Sequence, residues 1–153
     1  MKYDWSSLTK LQVGKYAEYY VKMFLTQYGL DVYSAEVDDK GIDFVIRVRQ
    51  DKYVDIQVKS VRKGGYAYMT KDKFQPRDNL YLALVVFPEG AKPLFALIPS
   101  NEWLTDRPSF LADRDFVGLQ SSPEYGISIS KNSLPQIIEK YAIEVVLPHI
   151  INE

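Results

Sequence analysis

Residues 41–59, GIDFVIRVRQDKYVDIQVK, limit what this chain can fold into more than any other stretch. Ile42, Phe44, Ile46 and Val48 alternate with Asp43, Val45, Arg47 and Arg49. Beyond Gln50, Asp51 and Lys52, Val54, Ile56 and Val58 alternate with Tyr53, Asp55, Gln57 and Lys59. Period-two alternation of β-branched and aromatic residues predicts two half-buried strands, an antiparallel hairpin over about residues 41–60. Directly opposed residues share a face of the sheet, and the apolar set is even-numbered in both strands. Opposed pairs must then sum to an even number, or one strand would turn its apolar side to water. An odd-length connection or a bulge satisfies this. Asp43 then stands opposite Gln57 or Lys59, and all three side chains leave the same face, with Asp55 beside them.

The length predicts one domain over residues 1–153. The expected class is α/β with a mixed sheet, an α+β arrangement. Net charge is −1, so any nucleic-acid contact must come from a local patch. Cysteine is absent, which rules out disulfides and thiolate metal sites. His149 is the only histidine, which argues against a histidine-built zinc site or a Ser-His-Asp triad elsewhere. No apolar run approaches the ~18 residues of a membrane span. The N-terminus has no signal-peptide-like apolar region, so a cytoplasmic protein is the expectation.

Thr9-Lys-Leu-Gln12 fits a capping box and Gly29 a C-terminal stop, predicting a helix over 9–28. Its apolar stripe runs through Val13, Tyr16, Ala17, Tyr20, Val21, Phe24, Leu25 and Tyr28, and Glu18 lies at the stripe's edge. That position suits a solvated flank or a carboxylate reaching past the sheet edge. A strand over 30–36 and a polar turn at Asp38–Gly41 precede the hairpin. From Lys59 to Arg77, six basic residues (Lys59, Arg62, Lys63, Lys71, Lys73, Arg77) face one acid, Asp72, with Tyr66, Tyr68 and Phe74 interleaved. Such a run suits phosphate contacts and base stacking, or a solvated loop with ordinary core aromatics. Residues 79–87, NLYLALVVF, predict a buried central strand, and 94–98 its hairpin partner. Residues 99–103 suggest a short helix, 105–122 mostly loop, and 127–129 a short strand. Ser133 opens a helix of about two turns. The apolar tail 143–151, interrupted by Pro148, either packs on the domain or serves a homodimer.

The hairpin's polar face has the groups that phosphodiester hydrolysis needs: oxygen ligands for a hard divalent cation and positive charge near the phosphate. Asp43 can ligate through its carboxylate, Gln57 through its amide oxygen, and Ile56 or Val58 through a backbone carbonyl. Glu18 can add a further ligand, and Asp55 is held in reserve. Lys59 is placed to orient water or to stabilise the phosphate.

The order helix Glu18, strand-start Gly41-Ile-Asp43, then Ile56-Gln-Val-Lys59 resembles the PD-(D/E)XK nuclease superfamily. It is similar in particular to archaeal Holliday-junction resolvases and type IV restriction endonucleases. It is similar also to small stand-alone bacterial members with a G-I-D…Q-V-K-S run and a later strand ending in Ile98-Pro-Ser-x-x-Trp103. The resemblance implies a restriction-endonuclease-like core over about residues 9–98, with a C-terminal extension of about 99–153: a helix, three antiparallel strands, a crossover helix and a further strand. It implies Asp43, Gln57, Lys59 and Glu18 as catalytic residues, with Asp43, Gln57 and Glu18 holding Mg²⁺ or Mn²⁺. DNA is the implied partner, met by Arg62, Lys63, Lys71, Lys73 and Arg77. Two departures stand out. Most members have an acid where Gln57 stands, and between Lys59 and Asn79 only Thr70–Phe74 could form a turn of helix. The expected function is metal-dependent DNA hydrolysis. The alternatives are a catalytically inactive nucleic-acid-binding module and an oligomeric interaction protein.

Overall fold

The computed structural model describes residues 3–37 and 40–153. Asp38 and Asp39, within the polar turn expected before Gly41, lie outside them. The first helix, α1 (Lys10–Gln27), begins at the expected capping box. Thr9 Oγ1 accepts from the Gln12 N–H at 3.1 Å, and Gln12 Oε1 accepts from the Thr9 N–H at 2.8 Å. It buries Val13, Ala17, Val21 and Leu25, one residue per turn.

Five strands form the main sheet: β1 (Asp31–Ser34), β2 (Phe44–Arg49), β3 (Lys52–Arg62), β5 (Leu80–Phe87) and β6 (Leu94–Pro99), in the order β1-β2-β3-β5-β6. Pairing is antiparallel except between β3 and β5, which run parallel. β2 and β3 are joined at Gln50–Asp51, and a register shift between Arg47 and Arg49 supplies the bulge that parity requires. Phe44 therefore faces Ile56, and Ile46 faces Val54. All four are buried at 1% exposure or less. Each such burial contributes roughly 1.5–3 kcal/mol. α1 packs on this even-numbered face. Its Tyr16 and Phe24 meet Phe87 and Phe95, and Trp5 wedges beside Phe87.

Parallel strands need a crossover. Here it is not the helix that the resemblance implies. The chain leaves β3, turns at Lys63–Gly64 and forms β4 (Gly65–Thr70). β4 pairs with β8 (Glu124–Ile129), which pairs with β7 (Leu111–Arg114), making a second, antiparallel sheet. Residues 70–74 then close one turn, with the Phe74 N–H bonded to Thr70 O at 3.0 Å. The physical reason is sequence: Tyr66 to Met69 alternate exposed and buried side chains as a strand does, and Ala67 and Met69 turn inward. The C-terminal third thus supplies two strands beside the crossover.

Residues 100–103 form a 3₁₀ turn in which Trp103 is fully buried against Phe74, and its indole N–H donates to Gly126 O at 2.9 Å. α2 (Ser133–Tyr141) and α3 (Ile143–Asn152) complete the chain. Pro148 lies inside α3 rather than ending it. The carbonyl it leaves without a helical donor belongs to Glu144, which is exposed to water. Ile143, Val146, Leu147 and Ile150 are buried on the chain's own β2 and β6, so the apolar tail packs on the domain.

Candidate active site at the fork between two strands

β3 runs on to Arg62 after β2 has ended, and Asp43 stands where they part. The Asp43 N–H donates to Ile56 O at 2.9 Å, and its Oδ2 accepts from the Val58 N–H at 2.6 Å. The carboxylate thus takes the place of the next backbone partner. The paired register ends at Phe44↔Ile56, so Asp43 lies just beyond the ladder, tied to β3 at Ile56 and Val58, the residues on either side of Gln57. Val58's carbonyl leaves the same strand edge as its N–H, so it too points into the fork.

Gln57 is only 8% exposed, and its Oε1 is buried without a hydrogen-bond partner. A buried acceptor with no donor costs about 1–3 kcal/mol. It is accounted for if a cation is the missing partner. Asp43 carboxylate, Gln57 amide and Val58 carbonyl offer hard oxygens, the donor type that Mg²⁺ and Mn²⁺ take. Among the described residues no three His, Cys, Asp or Glu side chains gather as a metal cluster. The donor set is therefore poorer in charge than an all-carboxylate site.

Lys59 is half-buried, and burial pushes its ammonium below the ordinary lysine range. Asp43's negative charge opposes that shift, while Lys10 and Lys73 reinforce it. Gly41 explains how Lys73 comes so near. Its φ is +79°, and a Cβ there would lie 2.8 Å from Lys73 O, so the turn after β4 packs directly on it. Only glycine permits both the backbone and the approach.

Glu18 lies on an α1 row, Lys10–Gly14–Glu18–Lys22, spaced four apart. Lys10 acts on Lys59, and Lys22 lies over the Phe44 ring and donates to Ser34 Oγ at 2.7 Å. Glu18 lies between these two positions along the helix. Glu18 itself pairs with Lys15 at 3.4 Å. Asp55 is engaged elsewhere, in an ion pair with Arg77 at 2.7 Å.

The basic run divides. Arg62 donates to Trp5 O and Leu8 O, both at 2.8 Å. Lys71 is held by Asp113 and Asp115, and Arg77 by Asp55 and Gln75 O. Among the described residues Lys63 and Lys73 make no ion pair, and both are exposed. Lys10 was not singled out in the sequence; its four-residue spacing from Gly14 and Glu18 was the available signal. A groove of about 470 Å³ opens beyond the fork between α1 and β4, lined by Lys10, Lys59, Arg62, Tyr66 and Tyr68 among others.

The architecture, a mixed sheet with α1 on one face, is that of a restriction-endonuclease-like fold. Two solved structures share it. One is a Holliday junction resolvase of Archaeoglobus fulgidus, an archaeal hyperthermophile, with a TM-score of 0.52 at 14% identity over 86% of this chain and 93% of that one. The other is a bacterial homing endonuclease, with a TM-score of 0.52 at 13% identity over 94% of this chain and 92% of that one. No protein-family model matches the sequence, and no curated protein is significantly similar to it.

Proposed function

We propose that the protein is a divalent-metal-dependent nuclease that hydrolyses DNA at the β2–β3 fork. One observation carries this reading: Gln57 Oε1 is buried without a partner, one residue before the Val58 N–H that the Asp43 carboxylate accepts from. The neighbouring folds, a resolvase and a homing endonuclease, support the reaction class.

In this reading Asp43, Gln57, the Val58 carbonyl and Glu18 hold Mg²⁺ or Mn²⁺. When bound, the ion supplies Lewis acidity and a water of lowered pKa. Asp43 is fixed for that role by its bond from the Val58 N–H, which leaves it little rotamer freedom to lose. Lys59 places positive charge where the phosphate oxygens gain negative charge. A bond forms between the water oxygen and phosphorus as one phosphorus–oxygen ester bond breaks; the water's proton passes to solvent, and the departing alkoxide takes up a proton. Lys59, with its depressed pKa, gives up a proton more readily than a free lysine.

Cleavage of linear duplex, single-stranded and branched DNA with Mg²⁺, Mn²⁺ or EDTA tests this. Activity should need the metal and be lost in Asp43→Ala and Lys59→Ala. Equal activity in wild type and both variants would falsify it. The neutral side chain at Gln57 favours a second reading, a DNA-binding module that no longer cleaves. That reading expects salt-sensitive DNA binding and no metal-dependent product.

A further inference from the structure

The outer face of the second sheet is organised around Tyr66 and Tyr68, which project from the same side of β4. Tyr68 is 51% exposed, and its ring stacks on Tyr66 with centroids 6.4 Å apart and planes 18° from parallel. Arg114 from β7 lies over the Tyr66 ring at 4.2 Å. The Tyr66 hydroxyl donates to Glu124 Oε2 at 2.6 Å, and both burial and that carboxylate push its pKa upward, so it stays protonated. The ring is laid across Gly126, where any Cβ would overlap its hydroxyl and ring atoms. Two aromatic rings and a guanidinium are thus fixed as a flat platform, at little further entropic cost to a ligand.

The platform adjoins the groove that begins at Lys59. The described groove lining carries three cations, Lys10, Lys59 and Arg62, and no acid. Exposed Lys63 stands at the turn between them. A cationic channel flanked by aromatic faces matches an anionic backbone with unpaired bases. A duplex keeps its base faces stacked inside and has none to offer Tyr68.

We propose that this groove and the Tyr66–Tyr68 platform seat a single-stranded stretch of DNA, so that the fork acts on DNA with a single-stranded segment rather than on uninterrupted duplex. This rests on the nuclease reading for its consequence, but the binding can be measured without cleavage. In EDTA, a 20-nucleotide oligo-dT, a blunt duplex and the same duplex with a single-stranded tail are titrated by fluorescence anisotropy. The full chain should bind the oligo-dT and the tailed duplex more tightly than the blunt one. Tyr68→Ala should weaken oligo-dT binding at least about fivefold, and leave blunt duplex unchanged. Tyr68→Phe, which keeps the ring, should stay within about twofold. Equal affinity for tailed and blunt DNA, or a Tyr68→Ala effect shared equally by both, overturns the proposal. Cleavage of blunt duplex without such a preference overturns it while the nuclease reading stands. Tyr68-dependent binding in a protein that cleaves no DNA supports the platform and removes the nuclease reading.

Discussion

The two ends of β3 are built to opposite specifications. At its start, charges are matched. Lys52 donates to Ile150 O at 2.6 Å, Arg49 to Ile151 O and Glu153 O, and Asp55 pairs with Arg77. α3 closes over this end, and its cations satisfy the carbonyls of the last helical turn. Four residues on from Asp55, the arrangement reverses. Lys59 faces the Asp43 carboxylate but also Lys10 and Lys73, a buried amide oxygen has no donor, and the neighbouring strand has ended. One strand thus spends one end on stability and leaves the other electrostatically incomplete. A cation of the kind proposed would complete it.

Substitutions should separate the two ends. The largest effect is expected at the fork. Lys59→Ala should lower the cleavage rate by about 10²–10³-fold with little change in melting temperature. Asp43→Asn should do the same, because an amide oxygen can still accept from the Val58 N–H. Asp43→Ala should in addition cost about 1–3 kcal/mol in urea unfolding, as that N–H loses its acceptor. A melting curve as stable for Asp43→Ala as for Asp43→Asn would break the distinction.

Gln57→Glu should sharpen the comparison from the other side. Adding the missing charge should tighten Mn²⁺ binding by about tenfold or more in calorimetry, an electrostatic gain of about 1.4 kcal/mol. It should also destabilise the metal-free protein, since two carboxylates would then face each other in a buried place. Next in size is Gly41→Ala, expected to cost about 1–3 kcal/mol because it demands positive φ and crowds Lys73 O. It should also lower cleavage by shifting Lys73 and Asp43.

The pH dependence is a smaller effect. Lys59 loses its proton below the ordinary lysine value of 10.5, so cleavage should fall on an alkaline limb that begins earlier than for a free lysine. In Lys59→Arg, whatever activity remains should lack that limb, because guanidinium does not titrate there. Smallest is the far end. Asp55→Ala should leave cleavage unchanged and cost no more than about 1 kcal/mol, since its ion pair with Arg77 is partly open to water.

Much of the fork was legible because strand parity is local. Even-numbered apolar residues on both strands were enough to set Phe44 opposite Ile56 and Ile46 opposite Val54, and the bulge at Arg47–Arg49 is how the chain reconciles a two-residue connection with that parity. The capping box at Thr9 and the buried run of β5 were legible for the same reason. Partners distant in sequence were not. Nothing near Tyr66–Thr70 announces pairing with Glu124–Ile129, so a crossover strand could not be told from a trimmed helix. Likewise Arg62, Lys71 and Arg77 read as free cations until Trp5 O, Asp113 and Asp55 come beside them. Lys10 was overlooked because its importance depends on how α1 lies against β3.

The turn at Lys63–Gly64 has a metric consequence. Lys63 itself has a φ of +65°, a left-handed conformation that a non-glycine residue adopts at a cost of about 1–2 kcal/mol. It lets β3 double back into β4 almost at once. Lys59 lies about 10 Å of strand from the end of β3 at Arg62, and Tyr66 follows immediately after the turn. The step from Lys59 to the Tyr66 ring is therefore set by this bend. Under the proposed binding of a single strand along the groove, the fold would be a ruler, fixing how many nucleotides separate a base on Tyr68 from a phosphate at the fork.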